Sequence, residues 1–79
     1  MSASDMWLGR ANAARGLAQD LRERAVMYPA RSVERDTRLW LADWVDRAAD
    51  EAMEAMTAAA LVEEEQRTVQ ATAETAVGG

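Results

Sequence analysis

Apolar residues recur along the first third of the chain in a pattern that predicts an α-helix. The steps alternate between four and three residues, which is the repeat of a helix that packs along one seam. The members of this repeat are Trp7, Ala11, Ala14, Ala18, Leu21, Ala25 and Tyr28. Pro29 ends the pattern, because proline lacks an amide hydrogen and disfavours helical backbone in the residue before it. We therefore predict helix 1 at about 5–27 and a turn at 28–31.

A second and longer repeat follows Ser32, whose side chain is of a type that favours the N-cap position. At about 100° per residue, one face of this helix is apolar and the opposite face is acidic. The apolar face comprises Leu41, Trp44, Val45, Ala48, Ala52, Ala55, Met56, Ala59 and Val62. The acidic face comprises Asp36, Asp43, Asp46, Asp50, Glu54 and Glu65. We predict helix 2 at about 32–65, followed at 66–79 by a tail that is a fraying helix or disordered.

Two long amphipathic helices joined by a short turn pack as antiparallel neighbours. The predicted fold is therefore all-α, an antiparallel helical hairpin at 1–65 with a longer second helix. Helix 1 would be about 34 Å long and helix 2 about 51 Å, so we expect an apolar overhang at about 53–62. A second hairpin, completing a four-helix bundle by dimerisation, or packing on a different partner protein would cover this overhang.

The composition also favours a partner. Alanine accounts for 18 of the 79 residues, while isoleucine and phenylalanine are absent. Burial of a leucine or valine side chain stabilises a fold by about 1.5–3 kcal/mol, and alanine contributes far less. Because a chain of this size buries only about 60% of its unfolded surface, we expect a lone hairpin to be modestly stable.

Charge and missing residue types narrow the range of functions. The net charge of -5 disfavours direct contact with nucleic acid or with an anionic membrane. No apolar run approaches the roughly 18 residues of a membrane span, and no signal peptide is apparent, so we expect a cytoplasmic protein. The chain has neither cysteine nor histidine, which removes thiolate metal sites and the usual catalytic bases. We predict no enzyme activity, no metal and no cofactor.

The acidic face has two interpretations. It is either a solvated surface, in which Arg47 pairs with Asp43 and Glu51 four residues away on each side, or it is a binding surface. Its carboxylates follow one another roughly every 5–10 Å along the helix, a spacing comparable with that of phosphates on a duplex. This face could therefore occupy a basic, nucleic-acid-binding site on a partner protein.

The apolar face supplies a second candidate contact surface. The residues expected to meet a partner or a second copy are Trp40, Trp44, Met53, Met56, Ala59 and Val62. Their helical spacing makes Trp40 and Trp44 candidate core anchors. Trp40, at the edge of the face, is alternatively an anchor for a partner, because tryptophan is enriched among interface hot spots.

These features together predict a non-catalytic, small acidic protein that binds another protein and modulates or inhibits it. Such proteins are common among phage and mobile-element accessory factors, which act in the host cytoplasm. The alternative is a structural subunit that forms a homodimer, or packs into a larger complex, through the apolar face of helix 2.

Overall fold

Two antiparallel α-helices account for the part of the chain that the structure describes. The structure is a computed structural model that describes the backbone of residues 2–78 and the side chains of residues 2–73. Helix α1 spans Ala3–Ala25 and α2 spans Val33–Gly78, and none of the described residues forms a strand. The molecule measures 72 × 15 × 10 Å. Over the described residues, neither helix contains an apolar stretch of the length needed to cross a bilayer. The predicted all-α hairpin with a longer second helix is confirmed.

Serine side chains cap both helices at their start. The Ser2 hydroxyl accepts a hydrogen bond from the Asp5 N–H at 3.1 Å, and the Ser32 hydroxyl accepts one from the Arg35 N–H at 3.2 Å. Each hydroxyl satisfies a backbone donor that has no partner within the first turn. Helix α1 begins and ends two residues before the predicted positions, and α2 continues through 66–78, where a fraying or disordered tail was predicted.

The turn between the helices, at 26–32, is longer than predicted. The Tyr28 N–H donates to the Ala25 carbonyl at 3.2 Å, and the Ser32 N–H donates to the Pro29 carbonyl at 3.1 Å. Arg31 has a φ of 65°, in the left-handed region that side chains other than glycine rarely adopt. The chain therefore reverses through two successive tight turns.

Alanine forms the seam between the helices. The six buried apolar residues of the described chain are Ala11, Ala18, Ala25, Ala42, Ala49 and Ala52. On α1 they recur every seven residues, which keeps them on the line that faces α2. A methyl group is small, so the two backbones approach closely, and no large side chain is fully buried between them. Three of the seven residues predicted for the α1 seam are buried, whereas Trp7, Ala14, Leu21 and Tyr28 are only partly buried. The predicted seam is therefore confirmed in part.

The overhang lies further along α2 than the sequence predicted. Ser4 faces Glu63, and Tyr28 in the turn faces Arg38, so α1 covers α2 as far as about residue 63. The free part of α2 is therefore 64–78, and the expected overhang at 53–62 was wrong. That expectation ignored the length of the turn, which extends past the end of α1. As a result, the first two turns of α2 run beside the turn and not beside α1.

Candidate interaction surfaces

One long side of the hairpin, which we call the polar side, is closed by contacts between charged residues. Arg22 bridges Asp46 and Asp43, the latter at 3.2 Å, and Arg15 contacts Asp50 at 3.4 Å. The hydrogen bonds that Arg22 donates to Asp46 and, as the second cause, to Asp43 raise the pKa of Arg22 above its ordinary value. All five side chains are at least 40% exposed, so solvent screens these pairs and each adds little to stability. Their main effect is to set the register of the helices.

The polar side ends at the N-terminus of α1, where Glu63 of α2 acts as a cap. Its Oε1 accepts the Ser4 N–H at 3.1 Å and its Oε2 accepts the Ser4 hydroxyl at 2.7 Å. These donors stabilise the ionised carboxylate and lower the pKa of Glu63, the hydroxyl being the larger cause. A negative charge at this position also complements the positive end of the α1 dipole.

The six predicted acidic-face residues divide between this polar side and open solvent. Asp43, Asp46 and Asp50 contact arginines of α1, whereas the remaining three are exposed. The exposed carboxylates are Asp36, Glu54 and Glu65. They are separated by about 27 Å and 16 Å along the helix, which no longer matches the phosphate spacing. Among the described residues, no group of three or more carboxylates is placed to hold a metal ion.

The opposite long side, which we call the apolar side, is an open surface with two grooves. The groove near the turn has a volume of about 780 Å³ and is lined by Leu21, Arg24, Met27, Tyr28, Thr37, Arg38 and Leu41. The groove near the start of α1 has a volume of about 360 Å³ and is lined by Trp7, Arg10, Ala14, Ala48, Glu51, Ala52 and Ala55. Both lie on one side of the hairpin, because their residues recur every seven positions along each helix.

On α2 this surface continues as a narrow row of apolar side chains, which we call the outer stripe. It consists of Leu41, Trp44, Ala48, Ala55, Val62 and Val69. Apart from Trp44, its members recur every seven residues, so they form a line next to the alanine seam. Val62 is 51% exposed and Val69, on the overhang, is 68% exposed. The stripe therefore extends beyond the end of α1.

Two tryptophans stand at the turn end of the outer stripe. The rings of Trp40 and Trp44 meet edge to face with centroids 6.1 Å apart, yet Trp40 is 59% exposed and Trp44 is 53% exposed. The guanidinium of Arg47 lies 5.8 Å from the centroid of the Trp44 ring. The interpretation of these tryptophans as anchors of the hairpin core was wrong, since α1 does not cover them. They form a preorganised aromatic patch on the surface.

The predicted apolar contact residues therefore separate into two groups. Met53, Met56 and Ala59 are partly buried in the part of α2 that α1 covers, whereas Trp40, Trp44 and Val62 are exposed. The apolar face of α2 is broader than α1 can cover. Helix α1 packs on Ala42, Ala49 and Ala52, of which only Ala52 belongs to the predicted apolar face, and leaves the bulky side chains of that face open. Sequence reasoning missed the α1 contribution to the grooves, although the spacing of Trp7, Ala14 and Leu21 indicates it.

No family model, no curated protein and no solved structure matches the chain.

Proposed function

We propose that this protein is a non-catalytic binding protein that docks an apolar helical segment of a partner on its apolar side, in a regulatory or structural role. One observation carries the proposal: the described residues bury only alanines fully, while the large apolar side chains remain at least partly exposed. Hydrophobic burial is the main stabilising term in folding. In this chain the large apolar side chains can still gain burial when a partner binds.

The shape and chemistry of the apolar side support a helix as the occupant. Two grooves follow one another between α1 and α2. A bound helix places side chains in such a surface at spacings of three, four and seven residues. Trp40 and Trp44, which do not line either groove, add two large exposed rings on α2. Tryptophan and arginine are the residues most often found at energetic hot spots.

The polar side supports binding less well. Three of its carboxylates already contact arginines of the same chain, so a basic partner would have to displace Arg15 and Arg22. Binding through the acidic face is thus the competing hypothesis, and it predicts contacts on a different surface of α2.

A photo-crosslinker separates the two hypotheses. We expect benzoylphenylalanine in place of Trp44 to give a covalent protein adduct in the cells that make this protein. The matched control replaces Leu61, which is 62% exposed and lies on the acidic face of α2. We expect no adduct from the control, and mass spectrometry identifies the partner. An adduct from position 61 and none from position 44 would favour the acidic face and refute the proposal.

A further inference from the structure

We propose that the helix docked on the outer stripe is α2 of a second copy, running antiparallel and centred near Ala55. This inference rests on the proposed function and specifies its partner. Three independent features support it: the surface area of the chain, the length of the stripe, and the placement of one pair of opposite charges.

The exposed area of the chain matches the needs of a dimer. The chain exposes 6065 Å², whereas a compact monomer of the same mass exposes about 4,700 Å². The excess is about 1,365 Å² per chain, so two copies that buried it would share an interface of roughly 2,700 Å². Interfaces of this size belong to permanent homodimers, which bury about 2,000–5,000 Å².

The length of the outer stripe requires a long helix as its occupant. From Leu41 to Val69 the stripe runs for about 42 Å, and its last member lies beyond the part of α2 that faces α1. A second α2, which spans 46 residues, is long enough and carries the same stripe. When a two-fold axis at Ala55 relates the two copies, the small Ala48 of one copy faces the larger Val62 of the other, and Leu41 faces Val69. The pattern is therefore complementary to itself in the antiparallel direction.

The charges beside the stripe favour the same arrangement. Arg47 and Glu65 are 18 residues apart, which is about five helical turns, so they lie on the same flank of the stripe. In an antiparallel pair of helices, equal flanks face each other. With the two-fold axis at Ala55, Arg47 of one copy lies level with position 63 of the other, and Glu65 follows about 3 Å further along the same helix. Within the described residues neither Glu65 nor Arg47 forms an ion pair. The Arg47 guanidinium lies against the Trp44 ring. Such pairs select the register of an interface more than its affinity.

Single cysteines test both the partner and its direction, because the natural chain has none. We expect Ala55→Cys to form a disulfide between two copies under mild oxidation, since the two positions 55 lie near the symmetry axis and a disulfide requires Cα atoms within about 7 Å. Leu41→Cys alone and Val69→Cys alone should form no disulfide in the same assay, but a mixture of the two should crosslink. Self-crosslinking of Leu41→Cys as readily as Ala55→Cys would indicate parallel helices and overturn the proposed arrangement.

Charge exchange tests the register without changing the apolar contacts. Arg47→Glu and Glu65→Arg should each weaken self-association by about threefold to tenfold, and the double variant should restore it. Circular dichroism checks that each variant keeps its helix content. Failure of the double variant to recover association would contradict the Arg47 and Glu65 contact.

Sedimentation velocity separates this inference from the proposed function. We expect a dimer at about 100 µM, because at this concentration even a dimer with a micromolar dissociation constant is almost fully populated. A monomer at that concentration would refute the second copy as partner. If position 44 still crosslinked to a different protein, the proposed function would stand with that protein as its partner; if position 44 gave no adduct with any protein, the proposed function would fail as well.

Discussion

The polar side and the apolar side flank the same alanine seam, but side chains of α1 and α2 contact each other across the polar side and leave the apolar side open. On the polar side, Arg15, Arg22 and Ser4 of α1 meet carboxylates of α2. On the apolar side, Leu21 and Leu41 border a groove that nothing in the described chain fills. Charged side chains are long and reach across the seam, whereas the apolar ones need contact over their whole surface.

This difference shows how a two-helix protein can have a defined register although its core consists of alanines. The ion pairs and the Glu63 cap align the helices, and the alanines let them approach closely. Neither feature buries much apolar surface. A partner that covered the apolar side would therefore add hydrophobic burial that the hairpin lacks. For this reason the apolar side is the better candidate for binding. The predictions below test this division of roles.

The largest effect is expected from enlarging the seam that both sides share. Ala18→Leu combined with Ala49→Leu places two bulky side chains between helices that are spaced for methyl groups. Overpacking typically costs about 1–3 kcal/mol per site and occasionally more, so we expect the hairpin to open at ordinary temperature. Thermal unfolding followed by circular dichroism measures the loss. Ala13→Leu, at an exposed position of α1, is the control and should leave the melting temperature nearly unchanged.

Removing the aromatic patch should affect association and leave the hairpin intact. Trp40→Ala with Trp44→Ala deletes two side chains that are more than half exposed, so the seam is unchanged. Hot-spot residues contribute about 2 kcal/mol or more to binding, and we therefore expect the dissociation constant to rise at least about 30-fold. Leu39→Ala with Leu61→Ala removes exposed apolar side chains from outside the apolar side and should not change binding. An equal loss of affinity in both variants would mean that the apolar side does not contribute specifically to binding.

Loss of the Glu63 cap should make stability less dependent on pH. Because Ser4 binds the ionised carboxylate, the pKa of Glu63 is lower in the folded chain than in the unfolded chain. Its contribution is complete above the unfolded pKa of about 4.3 and disappears as the pH falls through the folded value. Glu63→Gln should thus melt lower than the parent at neutral pH, and the two melting temperatures should converge below about pH 4. A constant difference across that range would contradict the cap.

The smallest effect is expected from the arginine contacts of the polar side. Arg22→Ala removes the bridge to Asp43 and Asp46, which is exposed and screened. We expect a small decrease in melting temperature at low salt and almost none at 1 M salt, where the Debye length is about 3 Å. Gln19→Ala, which changes a neutral exposed residue of the same helix, should show no salt dependence. A decrease that persists at high salt would mean that Arg22 acts by packing.

Much of this fold follows from local sequence rules. Pro29 and Ser32 place the turn and the second helix, because a missing amide hydrogen and a capping hydroxyl act within a few residues of themselves. The seven-residue spacing of Ala11, Ala18 and Ala25 identifies the seam of α1 for the same reason: a helix converts spacing in the sequence directly into a face.

The tertiary structure alone decided which residues of α2 would pack against α1. The sequence determined that α2 has an apolar face and an acidic face, but Ala42 and Ala49, which are fully buried, lie outside the face predicted from the helical spacing. Helix α1 packs against Ala49, because two helices gain most contact where their backbones approach most closely. This arrangement also places Asp43 and Asp46 next to Arg22. The register, set by contacts between residues far apart in the sequence such as Ser4 and Glu63, then determined how much of α2 was left uncovered.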